Sequence, residues 1–362
     1  MPTRAPVKAP TLTKLRALHP GAWWLWALGL AVIATRTNNL IVFAVLIAAV
    51  VLVVMLRRGD TPWALNFRLY AIVAGVIVVV RVVFRLIFAP GGGHVLFSLP
   101  QITLFGTLKL LGPVSVEALV GGLQTGMQLG VMVLFVGAAN SLASPKRLLA
   151  ATPGALYEFG TVAVVTVSAF PQLAESVRRV SRARLLRDGK GGARHTLRQV
   201  VMPVLADALD RSLGLAGAMD ARGYGRQASL PGGVRKASNA LLLVALCALC
   251  IGLYGLITGV TVAAWLVLAG FAAAIVSLRL AGQRAMRTRY RPDAWGLNEW
   301  LVTLCGVVPA GMVIAMGSLD PVVIMPGETQ WPTMNPLLLV GLLVAALPAL
   351  IAPPPAHEGG AA

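Results

Sequence analysis

Residues 181–185 and 218–224 hold the side chains in this sequence best suited to specific chemistry. They read Ser181-Arg182-Ala183-Arg184-Leu185 and Ala218-Met219-Asp220-Ala221-Arg222-Gly223-Tyr224. In both, arginine stands beside small residues. A guanidinium is a planar fork of five donors that matches a carboxylate, or the open carbonyls at a helix C-terminus. Small neighbours let a partner's backbone come close, so this chemistry is recognition rather than bond-making. A pair of such elements on one basic segment suggests a surface made to meet two equivalent partners. A basic helix resting on anionic lipid would explain the charge, but it has no need for arginine set between small residues.

Other reactive residue types have simpler readings. Arg81 and Arg85 lie one helical turn apart, on one face, inside the apolar run 69–89. Charge inside a membrane is costly and requires a partner or a water path. The favoured reading is a structural ion pair with Glu117 or Glu158, or snorkelling to an interface; a mechanistic site inside the bundle is the second. Cys247 and Cys250 have Cys-x-x-Cys spacing without a second Cys/His pair nearby, and with Cys305 they read as small apolar packing. His19, His94, His195 and His357 are scattered and read as ordinary loop residues. The stretch from Asp188 to Arg194 is similar to the Asp-Gly-x-x-Ala-Arg motif of CDP-alcohol phosphotransferases, which hold a divalent metal beside a pyrophosphate. Here it is one residue too long, and Asp207 and Asp210 are three apart where four would set them on successive turns. A phosphate-cradling Gly-x-x-x-x-Gly-Lys-Ser/Thr is lacking. A non-catalytic chain with no cofactor and no resident metal is expected.

The elements that position these residues belong to a membrane protein. Hydrophobic residues make up 57% and charged residues 12% of the 362-residue chain, and mean hydropathy is +0.79. A soluble domain carries roughly 25% charge, so most of this chain sits in lipid. Long continuous apolar runs favour helices over a barrel, with room for roughly seven or eight crossings of about 20 residues. The net charge of +18 flanks apolar runs, as the positive-inside bias requires. No aromatic-basic nucleic-acid module accompanies it, so no nucleic acid is expected as a partner. There is no cleavable signal peptide pattern. Basic residues Arg4 to Arg16 precede Trp23, Trp24 and Trp26, which read as an interfacial belt before the first span.

Apolar runs occupy 21–34, 39–56, 69–89, 115–139, 155–172, 238–256, 258–278, 299–316 and 335–352, and a moderately apolar, re-entrant or interfacial stretch 94–112. From Glu175 to Lys236 the chain is polar, with 13 Lys/Arg against 5 Asp/Glu, and cytoplasmic by the charge bias. Counting crossings from a cytoplasmic N-terminus puts this segment inside only if 94–112 crosses or 155–172 returns without spanning. Val201, Val204, Leu205, Leu209, Leu213 and Ala216 form a helical stripe, with Asp207, Asp210 and Arg211 off it and Pro203 as a possible kink. Gln172–Arg187 is also helix-compatible and stops at the breaker Asp188-Gly189-Lys190-Gly191-Gly192. The expected architecture is all-α: a transmembrane bundle over 1–174, a cytoplasmic pair of amphipathic helices over 175–236, transmembrane helices over 237–352 and a disordered tail over 353–362.

Over roughly residues 20–260, the paired arginine motifs resemble the Ala-Arg-Gly motifs of the transmembrane T component of energy-coupling factor (ECF) transporters, the CbiQ-like family. These are ABC-type importers of vitamins and transition metals. The resemblance implies a coupling subunit of the bacterial cytoplasmic membrane. Its partners would be two ATP-binding subunits and a substrate-binding S component, which selects the cargo. Each motif would end a coupling helix and dock in a groove of one ATPase, with Arg184 and Arg222 as anchors and Ala183, Ala221 and Gly223 permitting close packing. The first motif lacks its glycine, which leaves the contact residue as Arg182 or Arg184. The alternatives are a conventional ABC permease, against which two motifs in one chain argue, another lone transporter, or the membrane phosphotransferase.

Overall fold

The computed structural model describes residues 18–59, 66–88, 93–98, 100, 102–104, 108–110, 112–151, 156–187, 193–224, 232–260, 262–282 and 295–354. It comprises two packing units, Met1–Leu148 with Asp293–Ala362, and Leu149–Pro292. In chain order the first unit contains α1 (Pro20–Arg36), α2 (Leu40–Arg57), α3 (Phe67–Phe88), β1 (Val95–Ser98), β2 (Ile102–Leu104), β3 (Leu108–Leu110), β4 (Pro113–Ser115) and α4 (Val116–Leu142). The short α5 (Pro145–Ala150) follows. The second unit holds α6 (Tyr157–Arg187), α7 (Ala193–Ala221), α8 (Gly232–Ile257) and α9 (Ala263–Gly282). The chain then returns to the first unit with α10 (Leu297–Leu319), α11 (Pro321–Ile324), α12 (Pro336–Leu343), a 3-10 turn and α13 (Pro348–Ile351). Six of the described helices are long and apolar enough to cross a membrane: α2, α3, α4, α9, α10 and the Lys236–Ile257 part of α8. The protein is a polytopic helical membrane protein.

Lipid tails are as apolar as leucine, so helices in a membrane associate through close packing, and small residues let backbones approach. The first unit is built on this rule. On α4, Gly122, Gly126 and Gly130 recur every fourth residue. A Cβ at any of them would stand 3.1–3.2 Å from α3 atoms, including the backbone of Val82, Val78 and Ala74. Gly137 leaves the space filled by the Tyr70 ring, whose hydroxyl bonds Asn140 Nδ2 at 3.1 Å. Gly29 of α1 and Gly306 of α10 meet backbone to backbone. Trp26, Phe43, Leu46 and Phe135 fill the core between α1, α2 and α4. Trp23 and Trp26 are thus buried core residues rather than an interfacial belt, and the Trp26 Nε1–H donates to the Ala345 carbonyl at 3.1 Å. A tryptophan whose N–H finds an internal carbonyl loses its reason to sit at the interface.

The contacts of this unit sort into two ends. At the near end, where α1 begins, the buried Glu299 accepts from the backbone N–H groups of His19 and Gly296, and so joins the starts of α1 and α10. The Arg57 guanidinium closes the same end by donating to the Ala349 carbonyl. At the far end, the Thr37 hydroxyl donates to Ile324, and the fully buried Asn39 amide donates to Val323 and Thr333, while its oxygen caps α2. Arg85 also lies at the far end, with its guanidinium 2.7 Å from Glu328.

Two sequence expectations change here. The stretch 94–112 holds short strands, with β1 antiparallel to β4 and β2 antiparallel to β3. Strands of three or four residues cannot span a bilayer, which takes about 9–11. Arg85 pairs with Glu328 rather than Glu117. Gly121 makes this possible, because a Cβ there would collide with the Glu328 carboxylate. Glu117 instead accepts from the His94 N–H, beneath Gly93.

In the second unit α8 and α9 form a tight hairpin. Gly252 and Gly255 face Val267 and Ala263, and the Ser238 and Ser277 hydroxyls exchange bonds with each other's carbonyls. Cys247 and Cys250 are exposed on α8, so internal packing explains only Cys305, which is buried.

Candidate functional site

The second arginine motif is a helix terminus of defined geometry. The α-helical backbone ends at Ala221, and Gly223 has φ +70°. The Tyr224 N–H donates to the Met219 carbonyl at 2.9 Å, and the Gly223 N–H to the Asp220 carbonyl at 2.8 Å. This nested pair is a Schellman cap with Gly223 at the left-handed position, where a side chain would be strained. Arg222 is the cap residue itself. It is exposed, as is Ala221. The order Ala-Arg-Gly therefore has a local cause: glycine turns the chain, arginine stands at the turn, and alanine leaves the approach open.

The first motif is built differently. α6 runs unbroken from Tyr157 through Pro171 to Arg187, fusing the apolar run and the helix-compatible stretch that follows it. Arg182, Ala183 and Arg184 lie inside the helix rather than at its cap, with Arg182 and Ala183 exposed. A helix interior needs no left-handed residue, which accounts for leucine in the glycine's place. The Asp-Gly-Lys-Gly-Gly stretch 188–192 lies outside the described residues.

α6 and α7 are held together by a polar clasp. The Ser176 hydroxyl donates to Asp207 Oδ2 at 2.6 Å. Arg211, one turn along α7, reaches both oxygens of that carboxylate, at 3.0 and 3.2 Å, and its other nitrogen lies 3.5 Å from Gln172 Oε1. Arg179 approaches at 3.5 Å. The Ser176 hydrogen bond, reinforced by Arg211 and Arg179, holds the Asp207 carboxyl below its ordinary value of 3.8. Beside the clasp is an open cleft of about 420 Å³, lined by Val165, Gln172 and Leu173 of α6 and Ala208, Ser212 and Leu215 of α7, among others. The pairing runs antiparallel, Gln172 beside Arg211 and Ser176 beside Asp207.

The structure therefore does not bring the two motifs together. Arg182 lies roughly 10 Å beyond the clasp along α6, and Arg222 roughly 20 Å beyond it in the opposite sense along α7. The α7 stripe is mostly on the surface of the chain. Val204 is buried, but Val201, Leu205, Leu209 and Leu213 are exposed. The clasp residues Asp207 and Arg211, which the sequence sets off the stripe, make the polar contact with α6. Ser176, Asp207 and Arg211 are the site residues that sequence reading missed; the i, i+4 spacing of Asp207 and Arg211 was the available signal.

Among the described residues no group of three or more His, Cys, Asp or Glu gathers at one place. No curated protein matches the chain. Residues 12–231 match CbiQ, the cobalt transport protein family. A match over most of the chain, on a polytopic helical protein whose polar helices present separated arginines, places it: the chain belongs to the CbiQ family, the non-catalytic transmembrane component of ECF-type cobalt and vitamin transporters.

Proposed function

We propose that α6 and α7 are the coupling arms of this subunit, each docking on one of two ATP-binding subunits. Arg182, Ala183 and Arg184 would serve on α6, and Ala221, Arg222 and Gly223 at the end of α7. ATP-driven closure and opening of the two partners moves the arms, and the membrane helices pass that motion to a substrate-binding membrane subunit. Coupling requires only that these contacts differ in free energy between the two ATPase states. In functional terms the chain divides into an N-terminal bundle over 1–174, coupling helices over 175–236 and C-terminal spans over 237–352. The 13 Lys/Arg between Glu175 and Lys236 put this segment on the cytoplasmic side, where ATP-binding subunits reside.

The observation that carries this reading is the exposed Arg222 on a glycine-turned helix end, set apart from the α6 arginines by the Asp207 clasp. The cap ends the helix locally, and the exposed guanidinium left at its tip suits a carboxylate or helix-end carbonyls in the groove of a protein partner. The test is co-purification of the ATP-binding subunits with variants. Arg222→Glu is expected to abolish their association and Arg184→Glu to reduce it several-fold, with membrane insertion unchanged. Normal recovery of both ATP-binding subunits with the double variant would overturn the proposal.

A further inference from the structure

Residues 326–332 form a strap at the far end of the first unit, fixed at both bases. Before it, the Ile324 carbonyl accepts from the Thr37 hydroxyl and the Asn38 N–H. After it, the Thr333 carbonyl accepts from the Asn39 amide. Inside it the chain turns on itself, with the Gln330 N–H donating to the Gly327 carbonyl at 3.1 Å. Among the described residues, the Arg85–Glu328 pair at 2.7 Å is the one hydrogen bond or ion pair that ties this strap to the rest of the unit. Both side chains are partly exposed, 36% for Arg85 and 40% for Glu328, and ion pairs open to solvent hold weakly.

Two buried polar atoms beside this pair lack a hydrogen bond, Arg85 Nε and Glu117 Oε2. The other Glu117 oxygen accepts from the His94 N–H. Glu117 precedes Gly121 by one turn of α4, which sets their Cβ positions about 5–6 Å apart. A Cβ at Gly121 would stand 3.1 Å from Arg85 Nη2 and would collide with the Glu328 carboxylate. Rotation of the Arg85 and Glu117 side chains therefore brings the guanidinium to Glu117 without moving either helix. One arginine faces two carboxylates. On Glu328 it leaves Glu117 Oε2 unpaired, which is unfavourable for a buried acceptor. On Glu117 it satisfies that atom and releases Glu328, which the lifted strap gives to water.

We propose that the strap is a two-position lid. Arg85 holds it down through Glu328. When Arg85 passes to Glu117, the strap lifts from Gly121 about its fixed bases at Ile324 and Thr333. Each position gives the arginine one carboxylate, so a modest difference in the contacts made at the far end shifts the populations.

The experiment uses the full chain in lipid nanodiscs, in a background without the native cysteines. Spin labels on Thr329→Cys in the strap and on Met55→Cys, exposed at the near end of α2, report the distance by pulsed electron resonance. Glu328→Gln is expected to raise the long-distance population at least three-fold. Adding Glu117→Gln is expected to lower it again at least two-fold, because the arginine then has no second carboxylate to move to. A double variant that stays as open as Glu328→Gln, or opens further, would overturn the proposal, since a strap held by a purely structural pair gains nothing from the loss of Glu117. An unchanged distance in Glu328→Gln would overturn it as well. Should Glu328→Gln fail to accumulate, Glu328→Asp keeps the charge, shortens its reach and passes through the same cycle with the same expected signs.

Discussion

At Gly223 a backbone angle of +70° determines where Arg222 stands. A β-branched residue in that conformation costs about 1–2 kcal/mol, and it would open the bonds from Gly223 and Tyr224 to the end of α7. Gly223→Val is therefore expected to weaken ATP-binding-subunit association without changing any charge, whereas Gly223→Asn, which tolerates the left-handed region, should be mild; co-purification yield measures both. Asn39 carries a comparable burden at the far end of the first unit, where its amide satisfies the Val323 and Thr333 carbonyls. Asn39→Leu would leave buried acceptors unpaired at about 1–3 kcal/mol, measurable as a lower Tm in detergent. The sequence displayed the arginines and the glycine of the second motif plainly, because a cap is local. It hid Glu328, which lies 243 residues from Arg85: nothing in the spacing of either residue points across that distance.

The α3–α4 pair depends on glycine as an absence of side chain. Gly126→Leu would push its side chain into the Val78 backbone and the Arg81 stem, and overpacking of this kind costs about 1–3 kcal/mol or more. The expected result is loss of α3–α4 proximity, read by crosslinking Tyr70→Cys to Asn140→Cys. The α6–α7 clasp makes a prediction in pH. Because the Asp207 carboxyl is held below 3.8 in the folded chain, its contribution is fully present above that value and is lost as pH falls through the lowered one. Hydrogen exchange in α6 and α7 should accelerate below about pH 4, and Asp207→Asn should show the faster exchange already at pH 7. Element positions were largely legible: the breaker at 188–192 marks the end of α6 at Arg187. In the 94–112 stretch the alternation Ile102-Thr103-Leu104 and Leu108-Lys109-Leu110 around Gly106 is a hairpin signal that apolar content alone does not show.

Over the whole molecule, charge gives the expected orientation in the membrane. The first unit's far end, with Arg85 and Glu328, lies opposite the start of α1, which the basic residues Arg4 to Arg16 are expected to hold on the cytoplasmic side. α6 and α7 carry much of the Lys/Arg excess between Glu175 and Lys236, and the positive-inside bias is expected to hold them on the cytoplasmic side as well. Six described helices are long and apolar enough to cross, with the shorter apolar stretch Pro336–Ile351 beside them. In right-side-out vesicles, Gly327→Cys is expected to react with an impermeant maleimide while Ala183→Cys reacts only after permeabilisation; the reverse pattern would invert this topology.

The two arginine motifs also differ as mechanical objects. On α6 the arginines are rungs of a continuous rod, so a load applied there travels along its axis through Pro171. On α7 the arginine sits where the rod stops and the backbone turns back on itself, so a load applied there acts as torque about Gly223. Two identical motors pulling on these handles would not produce mirror-image strokes. Any difference between the two strokes would then originate in this chain, even where the ATP-binding partners are the same.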